Sequence, residues 1–309
     1  MEPESSSERT ARSVVSIEHV TKIYPGGGGI HDFSLEVNEG EVFGFLGPNG
    51  AGKTTTIRLI LDLIRPTSGS ITVFGMDVRR RGVDVRRRIG YLPGDLALYD
   101  RLSAREILTH FAYLRGAVPW ASVAHYVELF ELELDRPVRS LSKGNRQKVG
   151  LVVALMGDPD VAVLDEPTSG LDPFVQRVVR DEVRRASAEG RTVLLSSHVL
   201  SEVGEMADRV GLIRDGRLIA VEDVANIRQR SAHLVEATLR GTPDTSSLIA
   251  LPGVTSHHRD GATLSVEVAG DLNPLIALLA GFDLDDLSIR EPTLEELFLK
   301  FYGSEHASA

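Results

Sequence analysis

Residues 47–54 read Gly47-Pro48-Asn49-Gly50-Ala51-Gly52-Lys53-Thr54, the G-x-x-x-x-G-K-[ST] spacing of a loop that cradles phosphate. Its glycines let successive backbone N–H groups converge on a phosphate at a helix N-terminus, where the helix dipole favours negative charge. A lysine at this place reaches the β- and γ-phosphates of ATP and the next hydroxyl ligates Mg2+. Lys53 and Thr54 are assigned those tasks, with Thr55 closing the cradle. Further along, Asp165 and Glu166 follow the apolar run 161–164, which delivers two carboxylates to the carboxyl edge of a sheet. Asp165 is suited to hold the metal ion or its water, and Glu166 to act as base on a water attacking in line. A third segment, Leu141-Ser142-Lys143-Gly144-Asn145, opens a helix with a hydroxyl and free N–H groups at the positive end of its dipole, a second anion site.

These groups act together only if strands and helices bring them to one edge. Residues 15–20 and 33–37 alternate apolar with polar side chains as half-buried strands do, and 41–46 is a strand ending in the glycine of the loop. Residues 55–64 read as a helix, 71–74 and 89–92 as strands, and 104–115 with 122–132 as a helical stretch broken by Gly116 and Pro119. Helices at 145–157 and 174–188 then alternate with apolar strands at 161–164 and 192–196, the pattern of a parallel sheet covered by helices. Asp215-Gly216 between apolar runs at 210–214 and 217–221 signals a hairpin that finishes this domain. Strands at 234–239, 263–268 and 284–289 with helices at 273–280 and 294–301 form a small α+β unit without a chemical motif. The expected division is a disordered leader at 1–13, a nucleotide-binding domain at 14–229, an accessory domain at 230–303 and a tail at 304–309.

Composition narrows the function. A net charge of −10 argues against a broad nucleic-acid surface, which needs clustered positive charge. The basic run at residues 79–88 is the exception and reads as a solvated helix or turn face. The chain has no cysteine, so disulfides and thiolate chemistry are excluded, and its nine histidines show no metal-ligand spacing; adjacent His257 and His258 read as a loop pair. No stretch approaches the ~18–20 apolar residues of a membrane span, so a cytosolic location is expected, with any membrane role coming through a partner.

The ordered motifs resemble those of the ATP-binding subunits of ATP-binding cassette (ABC) transporters over roughly residues 15–221. Beside the phosphate loop and Asp165-Glu166, residues Leu141 to Asn145 are similar to the family signature, and Ser169-Gly170-Leu171-Asp172 to its D-loop. His198, after Leu194-Leu195-Ser196-Ser197, matches its switch histidine, and Tyr24 stands where the family places a ring that stacks on adenine. The resemblance implies a P-loop NTPase fold with a mostly parallel core sheet, an antiparallel β subdomain and a helical subdomain. It also implies ATP and Mg2+ as ligands, a second ATP-binding subunit that completes each phosphate loop with Ser142 and Gly144, and polytopic permease subunits that hold the chain at the inner face of the membrane. Glu291-Pro292-Thr293-Leu294-Glu295-Glu296-Leu297-Phe298 resembles the ending of the drug- and antibiotic-exporting branch, which also carries a small C-terminal domain. The rival reading, a soluble ABC-type ATPase of DNA or ribosomes, is disfavoured by the single cassette, the negative charge and the lack of sustained heptads. One departure stands out: after Ile89-Gly90-Tyr91-Leu92-Pro93 the family usually has a glutamine that touches magnesium and the attacking water, and here it is Gly94. A water, or the neighbouring Asp95, is expected to take that place.

Overall fold

The computed structural model describes residues 12–229, 233–241, 248 and 251–292. By contacts the chain divides into two compact units, residues 1–222 and 223–309, a border seven residues before the one read from the sequence.

In the first unit, β1 (Ser13–Ile23), β2 (Gly29–Asn38) and β3 (Val42–Leu46) lead into helix α1 (Lys53–Ile60). Strands β4 (Ser68–Val73) and β5 (Met76–Asp77) and helix α2 (Val78–Arg87) precede β6 (Ile89–Leu92). Three consecutive helices follow, α3 (Ala104–Leu114), α4 (Trp120–Leu129) and α5 (Lys143–Leu155). The unit closes with β7 (Val161–Asp165), α6 (Pro173–Ala188), β8 (Thr192–Ser197), α7 (Leu200–Met206) and the hairpin β9 (Arg209–Arg214) and β10 (Arg217–Asp223). Its central sheet has the order β10-β9-β3-β8-β7-β6, and β9, β3, β8, β7 and β6 are mutually parallel. β3, β7 and β8 are buried along their whole length because helices and a second sheet together cover both faces, which is why they read as unbroken apolar runs. Gly44 lets α7 approach β3 closely, since a Cβ there would lie 2.2 Å from Val203 Cγ1. This second sheet, antiparallel and ordered β2-β1-β4-β5, buries Val15, Ile17 and, past a break in register, Val20 against the core of the central sheet.

Helix starts follow local chemistry. Ser103 and Glu106 form a reciprocal capping box at α3. The Asp77 carboxylate caps α2, whose basic side chains form ion pairs (Arg81 with Asp84, Arg86 with Asp62), as a solvated helix face does. At the hairpin turn Asp215 and Gly216 take φ of 48° and 73°, the two positive values that an Asp-Gly turn between twisted strands requires.

The second unit opens with α8 (Val224–Gln229), followed by β11 (His233–Leu239), β12 (Val254–Asp260), β13 (Thr263–Val268), α9 (Asn273–Leu279) and β14 (Leu284–Arg290). Its antiparallel sheet, ordered β12-β13-β11-β14, packs Val235, Ala237, Leu264 and Val266 against Leu275 and Leu279 of α9. His257 and His258 are not a loop pair: both lie in β12, an exposed edge strand that among the described residues pairs with β13 alone and whose mostly polar residues carry no apolar alternation. α7 and α8 were also missed, each having fewer than two full turns of pattern to read. The expected helix at 294–301 and most of the expected leader and tail lie outside the described residues. Among the described residues no helix is long and apolar enough to cross a membrane.

Candidate functional site

The loop between β3 and α1 is built by close packing. Gly47 sits where a Cβ would fall 2.2 Å from the Ile213 carbonyl oxygen, and Gly52 where one would fall 2.8 Å from Ile30 Cγ2. Gly50 and Gly52 both have positive φ, 81° and 116°, which turns the chain so that it enters α1 at Lys53 rather than at residue 55. Gly52 is the N-cap and offers no side chain, so α1 begins without a side-chain cap for its first N–H groups. Residues 49–55 and Glu166 line a cavity of about 140 Å3 here. Lys53 is buried, and its Nζ donates to the carbonyl oxygens of Gly47 at 2.5 Å and Pro48 at 3.1 Å. Burial pushes the Lys53 ammonium down from its ordinary range, and the carboxylates of Glu166 and Asp165 oppose that shift.

β7 carries Asp165 to the carboxyl edge beside the loop. Thr54 Oγ1 donates to Asp165 Oδ2 at 2.8 Å, and Ser196 Oγ donates to Asp165 Oδ1. The hydroxyl and carboxylate oxygens of Thr54 and Asp165 therefore converge, and hard oxygen donors of this kind suit Mg2+, which keeps several waters and takes others from phosphates. Among the described residues no group of three or more His, Asp or Glu side chains could hold a metal by itself. The next residue, Glu166, has φ of 55°, the left-handed region that costs a non-glycine residue of order 1–3 kcal/mol and recurs at functional sites. Both of its carboxylate oxygens lie 2.9 Å from His198 Nδ1 at the end of β8.

The other residues singled out in the sequence are placed elsewhere; none of Tyr24, Ser142, Gly144 and Asp172 lines the cavity at the loop. Ser142 caps α5, its Oγ accepting from the Asn145 N–H at 3.2 Å. Gly144 packs on Gly170, whose carbonyl oxygen would lie 2.9 Å from a Cβ. Asp172 caps α6 through the N–H groups of Phe174 and Val175, both at 3.0 Å. Tyr24 stands half-buried in the loop after β1, with the Lys22 ammonium 5.4 Å from its ring centroid. Gly94 lies against Asp165, where a Cβ would be 3.1 Å from Oδ2 and 3.2 Å from Cγ. Asp95 is exposed.

Two residues of the site were not selected from the sequence. Ser196 lies near the end of an apolar strand, and only the β7–β8 register, which pairs Asp165 with Ser196, shows that its hydroxyl meets the carboxylate. Gln147 is buried in α5, and its Nε2 donates to the carbonyl oxygens of Glu166 at 3.0 Å and Pro167 at 3.2 Å. The available signal was an amide at the same helix face as Gly144 and Leu151, where a core side chain would otherwise stand.

Comparison with known proteins adds to this geometry. The family profile described as ABC transporter matches residues 30–169. The bacitracin transport ATP-binding protein of Bacillus licheniformis is 32% identical over 304 residues, covering 94% of this chain and 98% of that protein. The daunorubicin resistance ATP-binding protein of Streptomyces coeruleorubidus is 34% identical over 309 residues, covering 96% and 98%. A solved structure of an ATP-binding subunit of an ABC transporter superposes with a TM-score of 0.65 at 28% identity, covering 71% of this chain and 93% of that one.

Proposed function

The chain belongs to the ABC transporter family as an ATP-binding, ATP-hydrolysing subunit, and from that premise we propose that it powers export of a drug-like or antibiotic compound through separately encoded membrane subunits. The direction and class of cargo are supported by the near end-to-end similarity, C-terminal unit included, to proteins named for bacitracin transport and daunorubicin resistance.

The observation that carries the mechanism is the carboxylate of Glu166 held between the phosphate loop and His198, with Asp165 beside Thr54. Backbone N–H groups of residues 50–54 and the Lys53 ammonium bind the β- and γ-phosphates, and Tyr24 stacks on the adenine. Thr54 and Asp165 would hold the magnesium ion, which neutralises charge on the phosphates. Glu166 orients a water for in-line attack and takes its proton, while the imidazole of His198 fixes the carboxylate and stabilises charge on the γ-phosphate. A second copy or a related subunit pairs head to tail, its Ser142 and Gly144 closing on the nucleotide and Asp172 lying near the seam. ATP binding closes the pair and hydrolysis releases it, so the chain sits as a peripheral subunit on the cytoplasmic face of the membrane.

Two substitutions test this. Lys53→Ala abolishes tight ATP binding, because Lys53 is the one cationic side chain of the loop residues 47–55. Glu166→Gln keeps ATP binding, slows hydrolysis by about 10²–10⁴-fold as expected for loss of a general base, and accumulates as an ATP-bound dimer on gel filtration. Full turnover in Glu166→Gln would remove the proposed base.

A further inference from the structure

We propose that Gln147 is a positioning residue that ties the base Glu166 to the helix bearing Ser142 and Gly144, so that engagement of nucleotide at the start of α5 is felt at the chain's own phosphate loop. The proposal rests on the roles given above to Glu166 and to Ser142 with Gly144.

Glu166 occupies a left-handed backbone conformation and must be held there from outside. On one side its N–H donates to the Ser196 carbonyl at 3.1 Å and lies 3.3 Å from Ser196 Oγ. On the other side its carbonyl accepts from Gln147 Nε2, which also holds the Pro167 carbonyl. The first two turns of α5 meet the turn after the base at two further points. Lys143 Nζ donates to Ser169 Oγ at 3.1 Å, and Gly144 lies so close to Gly170 that a side chain would strike its carbonyl oxygen. Helix start and post-base turn are therefore one packed body. Of the three contacts, only that of Gln147 reaches the peptide of Glu166 itself, and Gln147 is a buried residue.

A displacement of α5 when its N-terminal hydroxyl and N–H groups close on a phosphate is passed to the Glu166 carbonyl through this amide. A small rotation of that peptide swings the carboxylate relative to His198 and to the water it orients. The site that the chain donates to its partner and the site that it owns are thereby linked within a single subunit.

The test uses the purified full-length chain, with kcat normalised to bound nucleotide so that any unfolded fraction drops out. Gln147→Met keeps the length and bulk but removes the donor; it is expected to lower kcat at least tenfold with ATP affinity within threefold of the parent. Gln147→Leu, of similar bulk and without a donor, replaces it should Gln147→Met not fold, with the same expected loss. Gln147→His restores an N–H at similar reach and is expected to recover at least a third of kcat, which a role in packing alone would not produce. In combination with Glu166→Gln, Gln147→Met is expected to add no further loss, because both act through one carboxylate. Unchanged kcat in Gln147→Met, equal losses in Gln147→Met and Gln147→His, or multiplied losses in the double variant would each overturn the proposal. Full turnover in Glu166→Gln alone would instead overturn the assignment of the base.

Discussion

A methyl group added at position 94 should weaken magnesium-dependent binding, and the size of the effect follows from the packing of Asp165. Gly94 is not among the glycines with positive φ, so alanine brings no backbone strain and any effect comes from contact. The new Cβ would stand 3.1 Å from Asp165 Oδ2 and 3.2 Å from Cγ, inside the roughly 3.5–4.0 Å optimum for non-bonded carbon atoms. Asp165 is buried and cannot retreat without cost, because Oδ2 accepts from Thr54 and Oδ1 from Ser196. A hydrogen bond to a charged group contributes about 1.5–3 kcal/mol. Disturbing one of them by a few tenths of an ångström forfeits on the order of 1 kcal/mol, or about fivefold in affinity for the metal–nucleotide complex. Gly94→Ala is therefore expected to raise the magnesium concentration for half-maximal ATPase activity about fivefold, and Gly94→Gln, although it restores the residue usual in the family, to raise it at least as much. Magnesium titrations at saturating ATP measure this, with nucleotide binding in EDTA as the control for the loop itself. An unchanged or lower requirement in Gly94→Ala, or a Gly94→Gln variant faster than the parent, would show that the glycine does not serve to clear the carboxylate.

Two further predictions concern neighbouring elements. Arg115, at the end of α3, donates to the carbonyl oxygens of Ile89, Val153, Ala154 and Met156; Arg115→Met leaves those groups unpaired and should cost about 2–4 kcal/mol in urea unfolding. Arg115→Lys should recover less than half, because an ammonium lacks the planar fork, and a loss under about 1 kcal/mol in Arg115→Met would refute the bracing role. Asp95→Ala should leave basal ATPase activity within about threefold, a barrier change under ~0.7 kcal/mol, on the expectation that a water, and not this exposed carboxylate, fills the place of the family's glutamine. A hundredfold loss with ATP binding intact would transfer that task to Asp95.

The phosphate loop, the Asp165-Glu166 pair and the alternation of strands and helices were legible in the chain because each depends on local spacing. A G-x-x-x-x-G-K-T phrase between a strand and a helix has few other physical uses, and unbroken apolar strands such as Val161–Asp165 belong to a sheet covered on both faces. Helix and strand boundaries were off by as much as four residues: β2 begins at Gly29 rather than 33, and α1 spans Lys53–Ile60 rather than 55–64, its start set by the left-handed φ of Gly52. What the tertiary structure alone decided is which side chains from distant segments meet. Ser196 reaches Asp165 through strand register, Gln147 reaches the Glu166 carbonyl through the packing of α5, and Gly94 owes its meaning to a carboxylate that would be 3.1 Å from its missing Cβ. Local sequence carries the period and the turn chemistry. Long-range partners depend on how sheet and helices close together, and no spacing along the chain records that.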